Sequence, residues 1–314
     1  MKKIFLFAVA AMVSLSSCVQ TNEVYTGKVQ EMGFKSAVTR GIIQSNDDMV
    51  YPISVSAVWD NPTAGAWVTY FENAEFVYDN ELWKGNPAKY WPTSGDMQFL
   101  AYCPYPIKAK VTNTYNAEGK FESSTFGTID NNLMDQHDVL FSDLLEVSAP
   151  QTSAQPLLFH HAYAQLNVTF KKTDSAAAVV LKSVSAEDVT MTGILIVTPV
   201  PDGTSTAAWQ AGLSISRYFL DDDATGVEDG TLDVVLAADT AFAPKPLLVI
   251  PSAQTRIEIV YTIDGVEHTY THTLTDEWKM GYKYTYNYTI NVNEIIFDCT
   301  VEDWIPVEGG NITI

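Results

Sequence analysis

Apolar and polar residues alternate with a period of two over most of this chain, in runs of four to nine residues divided by turn residues. Such runs predict half-buried β-strands. In residues 29–38, Met32, Phe34, Ser36 and Val38 alternate with Gly33, Lys35 and Ala37. In residues 51–59, Ile53, Val55, Ala57 and Trp59 share one face. Further strands are predicted around Trp67 to Phe71, at 75–78, 82–84, 97–102 (MQFLAY) and 139–142. Residues 105–138, rich in Asn, Gly, Ser and Thr, read as a long loop with short strands or a turn of helix. The second half continues with Leu166, Val168 and Phe170 alternating, then 179–184, 189–197, 232–237, 246–251, 256–263, 267–274, 283–292 (KYTYNYTINV) and 295–301. Asp264-Gly265 between two such runs signals a hairpin. No stretch carries a long helical period, so the pattern predicts an all-β chain of sandwich-like domains. SAPQTSAQP at 148–156, with two prolines and no bulky apolar residue, is the best internal boundary. It divides an N-terminal domain, 29–150, from a C-terminal one, 157–314. Trp91, Phe99, Leu166, Val168, Tyr286 and Ile290 are expected in their cores.

The N-terminus changes the picture. Lys2 and Lys3 precede an apolar run, 4–13, of signal-peptide length and too short to span a bilayer. Leu15-Ser16-Ser17-Cys18 then resembles the lipobox of bacterial lipoproteins. That resemblance implies removal of residues 1–17, a diacylglyceryl group on the Cys18 thiol, and further fatty acyl (palmitate) chains. Residues 18–28 then form a lipidated tether. Each buried methylene adds about 0.8 kcal/mol, so several chains on one residue anchor stably.

The formal charge of −20 excludes a nucleic-acid partner, which needs a basic footprint. Losing Lys2 and Lys3 makes the mature chain more acidic still. Of the three cysteines, Cys18 is assigned to lipid. Cys103 and Cys299 could form one disulfide, but they read as two free buried thiols in different domains. The five histidines show no metal-ligand spacing; His268 and His272 read as neighbours on one face of a strand.

Several phrases together resemble the fimbrillin family of the Bacteroidetes. They are Trp83 with Tyr90-Trp91-Pro92 and Phe99-Leu100-Ala101-Tyr102-Cys103-Pro104; Asp138-Val139-Leu140-Phe141, Leu158-Phe159-His160-His161-Ala162 and Leu166-Asn167-Val168; and Trp278 to Tyr286 with Val301-Glu302-Asp303-Trp304. The resemblance implies two transthyretin-like β-sandwich domains in tandem, in a subunit of type V fimbriae (a pilin with roles in adhesion) exported as a lipoprotein to the outer membrane and cell surface. Its partners would be other fimbrial subunits, the outer membrane through the lipid, and a ligand on host or bacterial surfaces. In that family an arginine-directed protease removes the first strand, and a strand donated by a neighbouring subunit refills the groove. Arg40, followed by Gly41, stands at the matching position. Residues 29–38 are accordingly expected as an edge strand of the N-terminal domain, with unpaired N–H and C=O groups left behind on their removal. Asn311-Ile312-Thr313-Ile314 is a candidate piece of donor strand.

Other chemistry is weighed against plainer readings. Trp59, Trp67, Trp83 and Trp91 could form a sugar-stacking platform on a monomeric surface lipoprotein that binds glycans for uptake, the alternative function; aromatic residues of sandwiches are more often core. The acidic loop 221–230 lacks the alternating ligands of an EF-hand and reads as solvated. Asp174-Ser175-Ala176 and Asp239-Thr240-Ala241 resemble O-glycosylation acceptors. There is no Gly-x-Ser-x-Gly, Walker or His-Glu-x-x-His motif and no carboxylate pair placed for acid–base work, so the chain reads as no enzyme and needs no cofactor.

Overall fold

The computed structural model describes residues 30–37, 51–130, 137–173, 178–190, 192–200, 203–220, 230–251, 256–274, 277–291 and 294–303. Among them there is no α-helix, only β-strands and one 3-10 turn, Tyr105–Lys110. The alternating runs are strands, as their period predicts.

The first half of the chain closes a barrel. Its strands are β1 (Gly33–Ala37), β2 (Ile53–Asn61), β3 (Ala66–Asp79), β4 (Leu82–Gly85), β5 (Asp96–Cys103), β8 (Leu140–Ser142) and β10 (Gln155–His161). Their order is β2-β3-β4-β1-β10-β8-β5, and β5 pairs back to β2, so the sheet has no open end; β9 (Leu145–Ser148) is appended to β5. One residue in two points inward and fills the interior: Met32, Phe34, Ile53, Val55, Phe76, Trp83, Trp91, Met97, Phe99, Leu140 and Phe159 are all buried there. β5 is buried on both faces because its outer face is covered by a second sheet.

That second sheet is built from both halves of the chain. β6 (Val111–Tyr115) and β7 (Phe121–Asp130) pair with β13 (Thr192–Pro199) and β14 (Ser205–Ala211) in the order β14-β13-β7-β6. The reading of 105–138 as a long loop with short strands or a turn of helix holds for its 3-10 turn and for β6, but β7 is a ten-residue strand, so much of the stretch is a hairpin and not a loop. The reason is a β-bulge. The register of β7 against β13 slips between Phe126 and Ile129, so two buried residues stand three apart and break the period of two.

The rest of the chain is a two-sheet sandwich. One sheet contains β11 (Ala164–Lys172), β17 (Leu247–Val249), β20 (Tyr282–Ile290) and β21 (Ile295–Asp303), ordered β17-β11-β20-β21. The other contains β12 (Val179–Thr190), β15 (Ser214–Tyr218), β18 (Arg256–Ile263) and β19 (Val266–Thr273), ordered β15-β12-β18-β19, with β16 (Val234–Val235) also on β12. Leu166, Val168 and Phe170 of β11 and Tyr284, Tyr286, Tyr288 and Ile290 of β20 face Leu181, Val184, Ile257 and Ile259 across the core. Asp264 and Gly265, both at positive φ, turn the β18–β19 hairpin. All six expected core residues are buried.

The proline-bearing stretch 148–156 does not part the two halves. β9 before it and β10 after it both belong to the barrel sheet, and the chain leaves the barrel after β10. His161 anchors that exit: its Nδ1 pairs with the Asp138 carboxylate, both side chains fully buried. Tyr163 stacks on Trp209 at 5.5 Å, and Trp209 Nε1 donates to the Ala162 carbonyl at 2.6 Å. Strand period cannot reveal such a seam, because it assigns faces and not partners.

Buried phenols make stability pH-sensitive. Burial raises the pKa of Tyr102, Tyr286 and Tyr288, and pushes Tyr115 up to about 12. A phenol raised on folding contributes its stability in full below its ordinary pKa, about 10. It loses it as pH rises through the folded value. Denaturant midpoints should therefore hold between pH 8 and 9.5 and fall steeply from pH 10 to 12. A flat profile across that range would contradict the burial of these hydroxyls.

Candidate strand-exchange site

β1 marks a candidate site because of its place in the barrel sheet. It lies between β4, antiparallel, and β10, parallel, with Phe34 opposite Trp83 on one side and Gln155 on the other. The expectation of an edge strand is corrected: β1 is interior, and it alone joins β4 to β10. A strand that begins a chain can be placed between two others that form later, which no local pattern discloses.

Its inward side chains are plugs. Met32 and Phe34 are fully buried. Phe34 packs edge-on against Phe76 at 5.3 Å and Phe99 at 5.2 Å between ring centroids, and Trp91 meets Phe99 at 5.6 Å. The next inward residue, Ser36, is polar, and its Oγ accepts a hydrogen bond from Trp83 Nε1 at 2.8 Å. The backbone extends the clamp, with Met32 N–H donating to the Lys89 carbonyl and Trp91 N–H to the Gln30 carbonyl. Removing β1 would empty a slot lined by Phe76, Trp83, Trp91 and Phe99 and leave facing N–H and C=O groups of β4 and β10 without partners, a costly state when buried.

In the C-terminal part of the chain β21 has the opposite character. It pairs with β20 over its whole length, Ile290 opposite Ile295 through Tyr282 opposite Asp303. Directly opposed residues share a face, so Phe297, Cys299 and Val301 point to the core side, as Tyr288, Tyr286 and Tyr284 do. Yet the three tyrosines are buried, whereas Phe297 is 46% exposed and Val301 49%. From the facing sheet His272 of β19 meets this face, its ring 4.0 Å from that of Phe297, yet it leaves both side chains half open. The same geometry corrects the reading of the cysteines: neither forms a disulfide, but only Cys103 is buried and Cys299 is exposed. β21 therefore carries an amphipathic pattern whose apolar face has little to bury it.

Cys18, Arg40, Gly41, the loop 221–229, Ser175 and the tail 311–314 lie outside the described residues. Trp83 and Trp91 are barrel core, so the four tryptophans form no common surface platform. Trp67 is covered by the Lys120 ammonium, 5.1 Å from its ring. His268 and His272 share one face of β19, opposite Tyr261 and Ile257. Among the described residues no three His, Cys, Asp or Glu side chains are grouped to hold a metal ion. The half-open apolar face of β21 was missed in the sequence, although its alternation of Ile295, Phe297, Cys299 and Val301 was visible there.

Comparison with known proteins places this architecture. No curated protein matches the chain. A fimbrial protein from Bacteroides vulgatus ATCC 8482 superposes with a TM-score of 0.60 at 18% identity, covering 88% of this chain and 99% of that one. A protein assigned to cell adhesion from Bacteroides uniformis ATCC 8492 gives 0.52 at 18% identity, covering 87% and 99%. Another so assigned, from Bacteroides ovatus ATCC 8483, gives 0.51 at 14% identity, covering 88% and 98%. At these identities the likeness is one of fold. The fimbrillin-like family model matches residues 39–304, nearly the whole of the chain beyond β1, and with that extent of agreement the chain belongs to the non-enzymatic fimbrillin-like family.

Proposed function

We propose that this protein is a subunit of surface fimbriae in a Bacteroidetes cell, with a role in adhesion, and that it polymerises by exchanging β1 for a strand of another subunit. The observation that carries the reading is the place of β1. It is the single link between β4 and β10, and it lies ahead of Arg40-Gly41. Cleavage after Arg40 would free β1 from the rest of the chain. The barrel without it is an open sheet, β4-β3-β2-β5-β8-β10, two edges of which face one apolar slot. That opened form would correspond to the transthyretin-like domain the family resemblance implies, with the sandwich of the β11 and β12 sheets as its tandem companion.

The donor on this reading is β21. Its core-side residues run Ile295, Phe297, Cys299; the described inward residues along β1 run Met32, Phe34, Ser36. Each pair matches in size, in the same order and spacing, so β21 of one copy can lie along the path of β1 in another. There its exposed phenylalanine would meet Phe76 and Phe99. Strand addition of this kind draws affinity from the backbone ladder and register from alternate side-chain pockets.

Export follows the lipobox: Cys18 would carry the acyl chains and hold the unprocessed protein at the outer membrane, and cleavage at Arg40 would leave those chains on the discarded segment. Two substitutions test this order of events. Arg40→Ala should leave the chain intact and monomeric, with no fibres in electron micrographs of the cell surface; fibres of normal length from that variant would end the proposal. Cys18→Ser should move the protein from the membrane fraction to the soluble one. Full retention in membranes would remove the lipid anchor from the account.

A further inference from the structure

The slot left by β1 contains one group that is not generic. Met32 and Phe34 fill pockets that any amphipathic strand could fill, but the third inward position meets the indole of Trp83. That side chain is fully buried, held on its other side by Tyr78 at 5.0 Å between ring centroids. Its N–H is a donor only, and in the closed barrel it is satisfied by Ser36 Oγ at 2.8 Å. Once β1 departs, the N–H loses that acceptor and looks into the vacated path of the strand. A replacement that brings a methyl group to the same point buries the N–H without a partner, which is penalised far more than a lost exposed hydrogen bond.

We propose that Trp83 is a specificity-determining residue of the strand-exchange groove: it selects donor strands that carry a hydroxyl or thiol at the third inward position, two residues after an inward aromatic. The proposal rests on the exchange reading above. It defines the partner as an extended segment with the pattern apolar-x-aromatic-x-hydroxyl or thiol. β21 meets it with Ile295, Phe297 and Cys299. Because sulfur is a weak acceptor, the thiol satisfies the indole less well than the serine it would replace. Self-donation is thus set below its attainable strength, and a subunit whose donor carries serine or threonine at this position would compete favourably with a second copy of this chain for the groove.

The test uses the full folded chain, made soluble by Cys18→Ser and then cut after Arg40 with an arginine-specific protease, so that β1 stays seated but can leave. Fluorescent peptides of the sequence 294–303 compete with it under reductant, in three versions: native, Cys299→Ser and Cys299→Ala. The serine peptide should displace the resident segment best and the alanine peptide worst, with about a tenfold difference between them. In a Trp83→Phe protein, which keeps an aromatic ring, smaller than the indole, and loses the N–H, the three should converge to within about twofold. If that variant does not fold, Ser36→Ala in the cut protein gives the same information: its resident segment should be displaced about tenfold more readily than the native one. Equal binding of serine and alanine peptides to the native groove overturns the proposal while leaving strand exchange standing. Failure of every peptide to displace β1 overturns both.

Discussion

Replacing Phe34 with alanine should destabilise the intact chain by about 3–5 kcal/mol, the usual cost of removing a fully buried phenylalanine. The ring has no exposure and makes edge contacts with Phe76 and Phe99, so its loss leaves a cavity in a barrel interior closed on all sides. The surrounding strands are paired around the full circle and can collapse little onto the gap. The informative comparison is with the processed form. After cleavage at Arg40 and loss of β1, residue 34 is no longer part of the folded body, and native and variant proteins should then melt together. Denaturant titration of both, before and after processing, checks this. A small effect in the intact chain would mean that β1 does not hold the barrel closed. A persisting difference after processing would mean that β1 is not released.

Phe297→Ala should do the reverse. In the monomer the ring is 46% exposed at the rim of the sandwich, with His272 as its close neighbour, so truncation should change monomer stability by no more than about 1 kcal/mol. In a donated strand the same ring would enter the Phe34 pocket and become fully buried, and its loss would cost about 3–5 kcal/mol per joint, or about two to three and a half orders of magnitude in the affinity between subunits. A variant that melts normally but builds no fibres is the expected result. Fibres of ordinary yield and length from Phe297→Ala would exclude β21 as the donor. The two substitutions therefore separate the groove from the strand that fills it, one acting on the closed monomer and the other on the joint.

Both predictions concern side chains that the alternating pattern already places on one face. The pattern of apolar residues by itself determined that the chain is all-β, which runs become strands, and which of their residues are core: Phe34, Ile53, Phe99, Leu166, Val168, Tyr286 and Ile290 all lie inside as their positions in the alternation require. The Asp264-Gly265 hairpin was equally legible, because its signal is local. The phrases around Trp83, Phe99, Asp138, Trp278 and Val301 carried the family resemblance. Only the tertiary structure decided the partners. A period of two says that Phe34 points inward, not that β1 pairs in parallel with residues 155–158, far along the chain, and so closes a barrel. It could not show β7, whose bulge breaks the period, nor that the barrel ends at His161 rather than at Pro150. Least of all could it show that β21, with the same alternation as the buried strands, keeps Phe297 and Val301 half exposed. Alternation records which face a residue takes. Whether that face is covered depends on what the rest of the fold sets against it, a property of the whole assembly of strands and of no segment within it.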